Sequence, residues 1–118
     1  MFSVIMCLSP YEDPNYLKEA VESVFNQSLE PQELIIVKDG QPSKRLQAVL
    51  KKLELNFSKL IVLGYNENKG VAYARNVGLR KSKNEIVALM DSDDICRRDR
   101  FKIQYNFLKE NKNIDVVS

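Results

Sequence analysis

The sequence predicts an α/β fold: a mainly parallel sheet between two layers of helices. Three observations carry this reading. Short apolar runs alternate with helix-period segments along all 118 residues. Each apolar run is nearly continuous, the mark of a strand buried on both faces. The distinctive polar residues fall just after the strands, where open α/β sheets gather their ligand-binding groups.

The elements follow in order. Residues 2–8 predict a first strand. Asp13-Pro14 supplies a helix N-cap and a first-turn proline, and Leu17, Ala20, Val21, Val24 and Phe25 recur at helical spacing, so a helix is expected over 14–27. Residues 28–32 read as a turn. Leu34-Ile35-Ile36-Val37 lies in a second strand over 33–38, broken by Asp39-Gly40-Gln41-Pro42. Leu46, Val49, Leu50 and Leu53 mark a second helix. A third strand is expected over 59–63, a polar loop over 65–69 and a third helix over 70–81. The fourth strand spans 85–90, a fourth helix 98–111 and a fifth strand 114–117. Regular alternation of this kind implies right-handed βαβ units.

Composition narrows the class further. The chain is 44% apolar and 29% charged, as in an ordinary globular domain, and its net charge of +2 gives no argument for nucleic acid. No apolar run approaches the ~18 residues of a membrane span. The first residues read as a strand and lack the basic leader of a signal peptide, which predicts a cytoplasmic protein. Histidine is absent, which removes Ser-His-Asp and Cys-His catalysis and most zinc sites. Cys7 and Cys96 have no metal-ligand spacing and read as free thiols in a reducing compartment.

The centre of the sequence is the stretch 85–94. Its apolar strand runs straight into Asp91, Asp93 and Asp94. Clustered carboxylates raise the cost of ionising one another, and a hard divalent cation, Mg²⁺ or Mn²⁺, relieves that repulsion. The alternative is a polar turn in which one acid caps the next helix. In a parallel sheet the other post-strand residues share this edge: Ser9, Pro10, Tyr11 and Glu12; Asp39 and Gly40; Tyr65, Asn66, Asn68, Lys69 and Gly70. Asp39 suits an imide N–H or a ribose hydroxyl. Tyr11 offers a face for stacking a base, and Gly70 opens a helix whose N–H groups favour an anion. Arg75, about a turn inside that helix, is placed to point back toward the edge. Base, ribose, diphosphate and metal together describe a nucleotide carried with Mg²⁺ or Mn²⁺. Plainer roles compete: Tyr11 covering the first helix, Asp39-Gly40 as a simple turn, Arg75 solvated or paired with Glu85, and Arg97, Arg98, Arg100 and Lys102 as a solvated helix start. Cys7 reads as core.

At this point the chain resembles the amino-terminal half of the family 2 glycosyltransferases, with their Rossmann-like GT-A fold. The matching segments, in the family's order, are Ser3-Val4-Ile5-Met6 with Pro10-Tyr11; the helix from Leu17 to Ser28; Glu33-Leu34-Ile35-Ile36-Val37-Lys38-Asp39-Gly40; the run from Asn68 to Leu79; and Ala88-Leu89-Met90-Asp91-Ser92-Asp93-Asp94. The resemblance covers nearly the whole chain, residues 1–118 as one nucleotide-diphospho-sugar-binding domain, and stops before the family's acceptor-binding half.

It implies a metal-dependent transferase moving a sugar from a nucleotide-diphosphate sugar, a UDP-sugar by preference, to an acceptor hydroxyl in surface or capsular polysaccharide synthesis, with inversion. Asp91-Ser92-Asp93 corresponds to the family's Asp-x-Asp, with Asp93 the more direct metal ligand and Asp91 the second. Asp39 corresponds to the base-contacting acid. Ser9 and Tyr11 correspond to the base pocket, while Asn68 and Arg75 lie beside the nucleotide. The acceptor is a saccharide or lipid-linked saccharide, which would bring the protein to the inner face of the membrane. The catalytic base falls on the acceptor half, and the fragment is expected to transfer sugar poorly alone and to self-associate through an uncovered sheet edge. Two features depart from the family pattern: Lys38 stands where a first acid is usual, and Cys7-Leu8-Ser9 stretches the first-strand motif. The competing readings are a nucleotide-binding module without catalysis of its own and a haloacid-dehalogenase-type phosphatase with Asp91 as nucleophile.

Overall fold

The structure is a computed structural model and describes residues 1–92, 99–110 and 116–117. The elements run β1 (Ser3–Leu8), α1 (Pro14–Phe25), β2 (Glu33–Asp39), α2 (Lys44–Asn56), β3 (Leu60–Tyr65), α3 (Val71–Lys81), β4 (Val87–Asp91), α4 (Arg100–Glu110) and β5 (Val116–Val117). The strands form one sheet in the order β3-β2-β1-β4-β5, and every pairing is parallel. The order reverses between β1 and β4, which creates the switch point where such sheets bind ligands.

Two apolar layers sandwich the sheet. Phe2, Val4, Met6, Leu8, Leu34, Ile36, Ala88 and Met90 pack with Leu17, Val21 and Val24 of α1, Leu46, Leu50 and Leu53 of α2 and Phe101 of α4. Ile5, Cys7, Ile35, Val37 and Val87 face the other way, against Ala74 of α3. The split follows the period of two along a strand. Each fully buried Leu, Ile or Val contributes about 1.5–3 kcal/mol.

Helix ends obey local chemistry. Asp13 Oδ1 accepts the Asn15 amide at 2.8 Å, with Pro14 in the first turn. Ser43 Oγ accepts the Leu46 amide at 3.2 Å. The first helix stops at Phe25, two residues short of the expectation. Gln27 is used instead as a clamp: its Nε2 donates to Ser23 O and its Oε1 accepts the Phe101 amide, tying α4 to the end of α1.

Three strand ends differ from the sequence expectation in a way that matters. Asp39, Tyr65 and Asp91 are the last residues of β2, β3 and β4, not loop residues. Parallel pairing reaches them: Asp39 is in register with Tyr65, and Asp91 with Cys7. Periodicity stops at the last apolar residue, but the ladder runs on one or two residues further.

Helix α3 lies unusually close to β1. A Cβ at Gly78 would fall 2.6 Å from Ile5 Cγ2, so only glycine permits this approach. Arg75, nearly one turn earlier, is thereby lowered onto the carboxyl end of the sheet. At the opposite end, Glu33 is buried and its Oε2 accepts from Ser3 Oγ at 2.6 Å and from the Lys83 amide at 2.7 Å, while Asn84 Nδ2 donates to Ser3 Oγ at 3.0 Å. This network fixes the connection from α3 into β4.

Candidate functional site

The site is built from three strand ends and the loops after them. Asp39 closes β2 and is 4% exposed. Its Oδ1 accepts the Tyr65 hydroxyl at 2.7 Å and the Lys69 amide at 2.7 Å; its Oδ2 accepts the Gly70 amide at 3.0 Å. The carboxylate therefore gathers the turn between β3 and α3 around itself. Gly70, at φ 95°, is the N-cap of α3 and has no capping side chain of its own. Asp39 supplies the negative charge there from another strand, where the helix dipole favours it. Lys69 Nζ lies 4.8 Å from the Tyr73 ring centre, and the Tyr65 and Tyr73 rings meet edge to face at 5.0 Å. Burial and the Asp39 carboxylate, in that order, hold the Tyr65 phenol protonated well above its usual range.

Gly40 allows a second convergence. At φ 99° it turns the chain as other residues rarely do, and the position of its absent Cβ lies 3.4 Å from the Asn68 amide nitrogen and 3.5 Å from Pro10 Cγ. The loops after β1, β2 and β3 thus touch at one point. Asn68 is exposed on that surface, as is Ser9. Ser9 organises its own turn: its Oγ accepts the Tyr11 amide at 3.3 Å and its carbonyl the Glu12 amide at 3.2 Å. Tyr11 is 91% exposed, so it does not cover the first helix; its ring stands free at the edge.

The fourth strand contributes its last residue, Asp91, and the turn residue after it, Ser92, points the opposite way. Asp91 Oδ1 lies 3.7 Å from Arg75 Nη2, with side chains 58% and 37% exposed. Arg75 thus turns back to the sheet edge, to Asp91 and not to Glu85. A half-exposed pair of this kind stabilises by only about 0–1 kcal/mol, so separating it costs little. Ser92 is buried on the other side, where its Oγ donates to Glu12 Oε2 at 2.7 Å. Glu12, which the sequence places on this edge after β1 without giving it a role, bridges the two sides of the switch point. Arg100 donates to Leu89 O at 3.1 Å, which ties the start of α4 to β4.

Cys7 lies between these groups, on the strand between Asp39 and Asp91. Burial first, then the carboxylates of Asp39 and Asp91, push its thiol up to about 11, against a smaller lowering by Arg75. It is a free thiol within the core, as expected.

Asp93, Asp94, Cys96, Arg97 and Arg98 lie outside the described residues. The described residues alone contain no group of three metal-ligating side chains. Of the acidic cluster 91–94 they include one carboxylate, Asp91, which is exposed and whose oxygen chemistry suits a hard cation. A cavity of about 280 Å³ opens on the same edge but toward α2, beside Lys38, Gly40, Gln47, Lys51, Val62 and Gly64. It does not include Ser9, Tyr11, Asn68, Arg75 or Asp91. No helix among the described residues is long and apolar enough to cross a membrane.

Comparison with known proteins finds relatives along nearly the whole chain. The amylovoran biosynthesis glycosyltransferase AmsE of Erwinia amylovora is 34% identical over 97% of this chain and 42% of its own length. The UDP-Gal:alpha-D-GlcNAc-diphosphoundecaprenol beta-1,3-galactosyltransferase of Escherichia coli is 31% identical over 99% of this chain and 42% of its own length. The chain thus spans well under half of these relatives. The S. aureus TarS 1–349 structure in complex with UDP superposes with a TM-score of 0.76 at 29% identity, over 94% of this chain and 32% of that one. The Pyrobaculum calidifontis mannosyltransferase PcManGT superposes with a TM-score of 0.79 at 21% identity, over 91% of this chain and 32% of that one, and shares the fold. The phosphatase alternative needs its nucleophile at the end of a first strand, and here Asp91 closes β4. The model of glycosyl transferase family 2 matches residues 3–118, and the chain belongs to that family, with a GT-A fold.

Proposed function

We propose that this chain is the donor-binding part of a glycosyltransferase that moves a sugar from a UDP-sugar to an acceptor hydroxyl in surface polysaccharide synthesis, with inversion at the anomeric carbon. The observation that carries the proposal is the meeting of Asp39, Arg75 and Asp91 at the carboxyl edge. The relatives named for amylovoran biosynthesis and for galactosyl transfer, and the TarS complexes with UDP and UDP-GlcNAc, support it.

Asp39 contacts the base, with Ser9 and the free ring of Tyr11 lining its pocket. Asn68 and Arg75 lie beside the nucleotide, and Arg75 leaves Asp91 to place its fixed charge against the diphosphate. Asp91, Ser92 and Asp93 form the acidic motif, with Asp93 and Asp91 holding Mg²⁺ or Mn²⁺. When bound, that ion neutralises charge on the departing diphosphate. No residue described here is assigned as the catalytic base. The Escherichia coli relative's name specifies a diphosphoundecaprenol-linked acceptor; an acceptor of that kind would bring this protein to the inner face of the membrane from the cytoplasm.

Calorimetric titration with UDP, with and without Mn²⁺, tests this reading on the wild type and on Asp93→Ala. Metal-dependent binding that the substitution abolishes is the expected result. A folded protein that binds UDP equally well without metal refutes the metal assignment, and one that binds no nucleotide refutes the donor site.

A further inference from the structure

The hydrogen bonds around Asp39 restrict which base the site accepts, given that Asp39 is the base contact proposed above. A carboxylate offers about four acceptor positions, two on each oxygen. Oδ1 takes the Tyr65 hydroxyl and the Lys69 amide, both at 2.7 Å, and is full. Oδ2 takes the Gly70 amide at 3.0 Å, which leaves one position among the described residues. The amide donors are backbone groups at the start of α3, and the hydroxyl belongs to a residue paired in register with Asp39 itself. These partners are held by the fold and do not leave at small cost. With Asp39 only 4% exposed, a base meets one edge of the carboxylate rather than its whole face.

Uracil and thymine present one imide N–H between two carbonyls. Guanine presents N1–H beside N2–H and engages a carboxylate with two parallel bonds, one to each oxygen. We infer that Tyr65, by filling Oδ1 of Asp39, makes this a site for single-donor base edges, uracil or thymine, and rejects guanine. Guanine here leaves N2–H facing an oxygen that is already saturated, and a buried donor without an acceptor is heavily penalised. Tyr65 acts through Asp39 and is a positioning residue. Removing its hydroxyl frees one position on Oδ1 and keeps the ring against Tyr73.

The test measures the dissociation constants of UDP, dTDP and GDP on the full chain in Mn²⁺, for the wild type, Tyr65→Phe and Tyr73→Phe. Tyr73→Phe perturbs the same aromatic pair without a bond to Asp39. The wild type is expected to bind UDP and dTDP at least about tenfold more tightly than GDP. Tyr65→Phe is expected to reduce that ratio about fivefold or more, by gaining affinity for GDP, while Tyr73→Phe leaves it unchanged. A purely structural role for Tyr65 weakens all three nucleotides alike and leaves the ratio where it was, which overturns the inference. So does a wild type that binds GDP as tightly as UDP, or a Tyr73→Phe variant that shifts the ratio equally. Those outcomes leave the donor site standing; a wild type that binds none of the three removes both.

Discussion

Replacing Asp39 with asparagine keeps the shape of a side chain whose oxygens already accept three hydrogen bonds from its own chain. The asparagine oxygen can serve two donors on one side. Its amide group must then face the third, and in either orientation a backbone N–H of Lys69 or Gly70 points at another N–H. Bonds to a charged group contribute about 1.5–3 kcal/mol each, and an unmet buried donor costs a similar amount. The losses overlap because all three donors share one carboxylate, so the expected cost is about 2–3 kcal/mol. Little of it is screened, because Asp39 is 4% exposed. With a urea slope of about 1.5 kcal/mol/M for a chain of this size, the unfolding midpoint falls by about 1.3–2 M. The same substitution loosens the start of α3 locally. Amide exchange at Lys69 and Gly70 should accelerate about thirtyfold or more, with amides of β1 changing only as the global stability does. A midpoint shift below about 0.5 M, together with unchanged exchange at those two amides, would refute the view that Asp39 holds this turn.

Two further outcomes follow from the packing. On a Cys96→Ser background, alkylation of Cys7 by iodoacetamide should follow a pH profile with its midpoint near about 11, and Asp91→Asn should lower that midpoint. The folded state keeps the proton, so this thiol's contribution to stability is complete below the ordinary thiol value of ~8.5 and is lost as pH rises from there through about 11; a midpoint in the ordinary range contradicts the placement of Cys7 between Asp39 and Asp91. Gly78→Ala sets a helix-propensity gain of about 1 kcal/mol against an overpacking cost of about 1–3 kcal/mol, because its methyl would fall 2.6 Å from Ile5 Cγ2. Net destabilisation is expected, with a favourable coupling of about 1 kcal/mol or more to Ile5→Ala in a double-mutant cycle; simple additivity in urea unfolding would refute the contact.

The layers of the fold were legible because each strand is a dense apolar run and each helix carries its own period. The carboxyl edge was legible for the same reason: once the strands are placed, parallel topology assigns Asp39, Arg75 and Asp91 to one side. The missing detail was pairwise. Nothing in the sequence near Asp39 signals that Tyr65 and two amides some thirty residues later occupy its oxygens, since those bonds depend on the register between β2 and β3. The role of Glu12 was hidden for a similar reason. Its partner, Ser92, lies 80 residues away across the switch point. The strand ends were placed short because hydrophobicity marks burial, whereas the backbone ladder continues through the polar residues Asp39, Tyr65 and Asp91.

The pinned amino end of β4 gives that strand the character of a ruler. The Ser3 amide donates to Ile86 O at 3.0 Å, and Glu33 and Ser3 hold the two residues before Glu85. From that fixed mark, the strand's rise of ~3.3 Å per residue sets how far Asp91 projects. Its period of two sets the face of its last residue, sending Asp91 toward Arg75, while Ser92 in the turn that follows reaches Glu12. A single residue added to or removed from this strand would move Asp91 to the other face, turning its carboxylate away from Arg75 and toward α1. An insertion of one residue in β4 should therefore be more damaging than most substitutions within it.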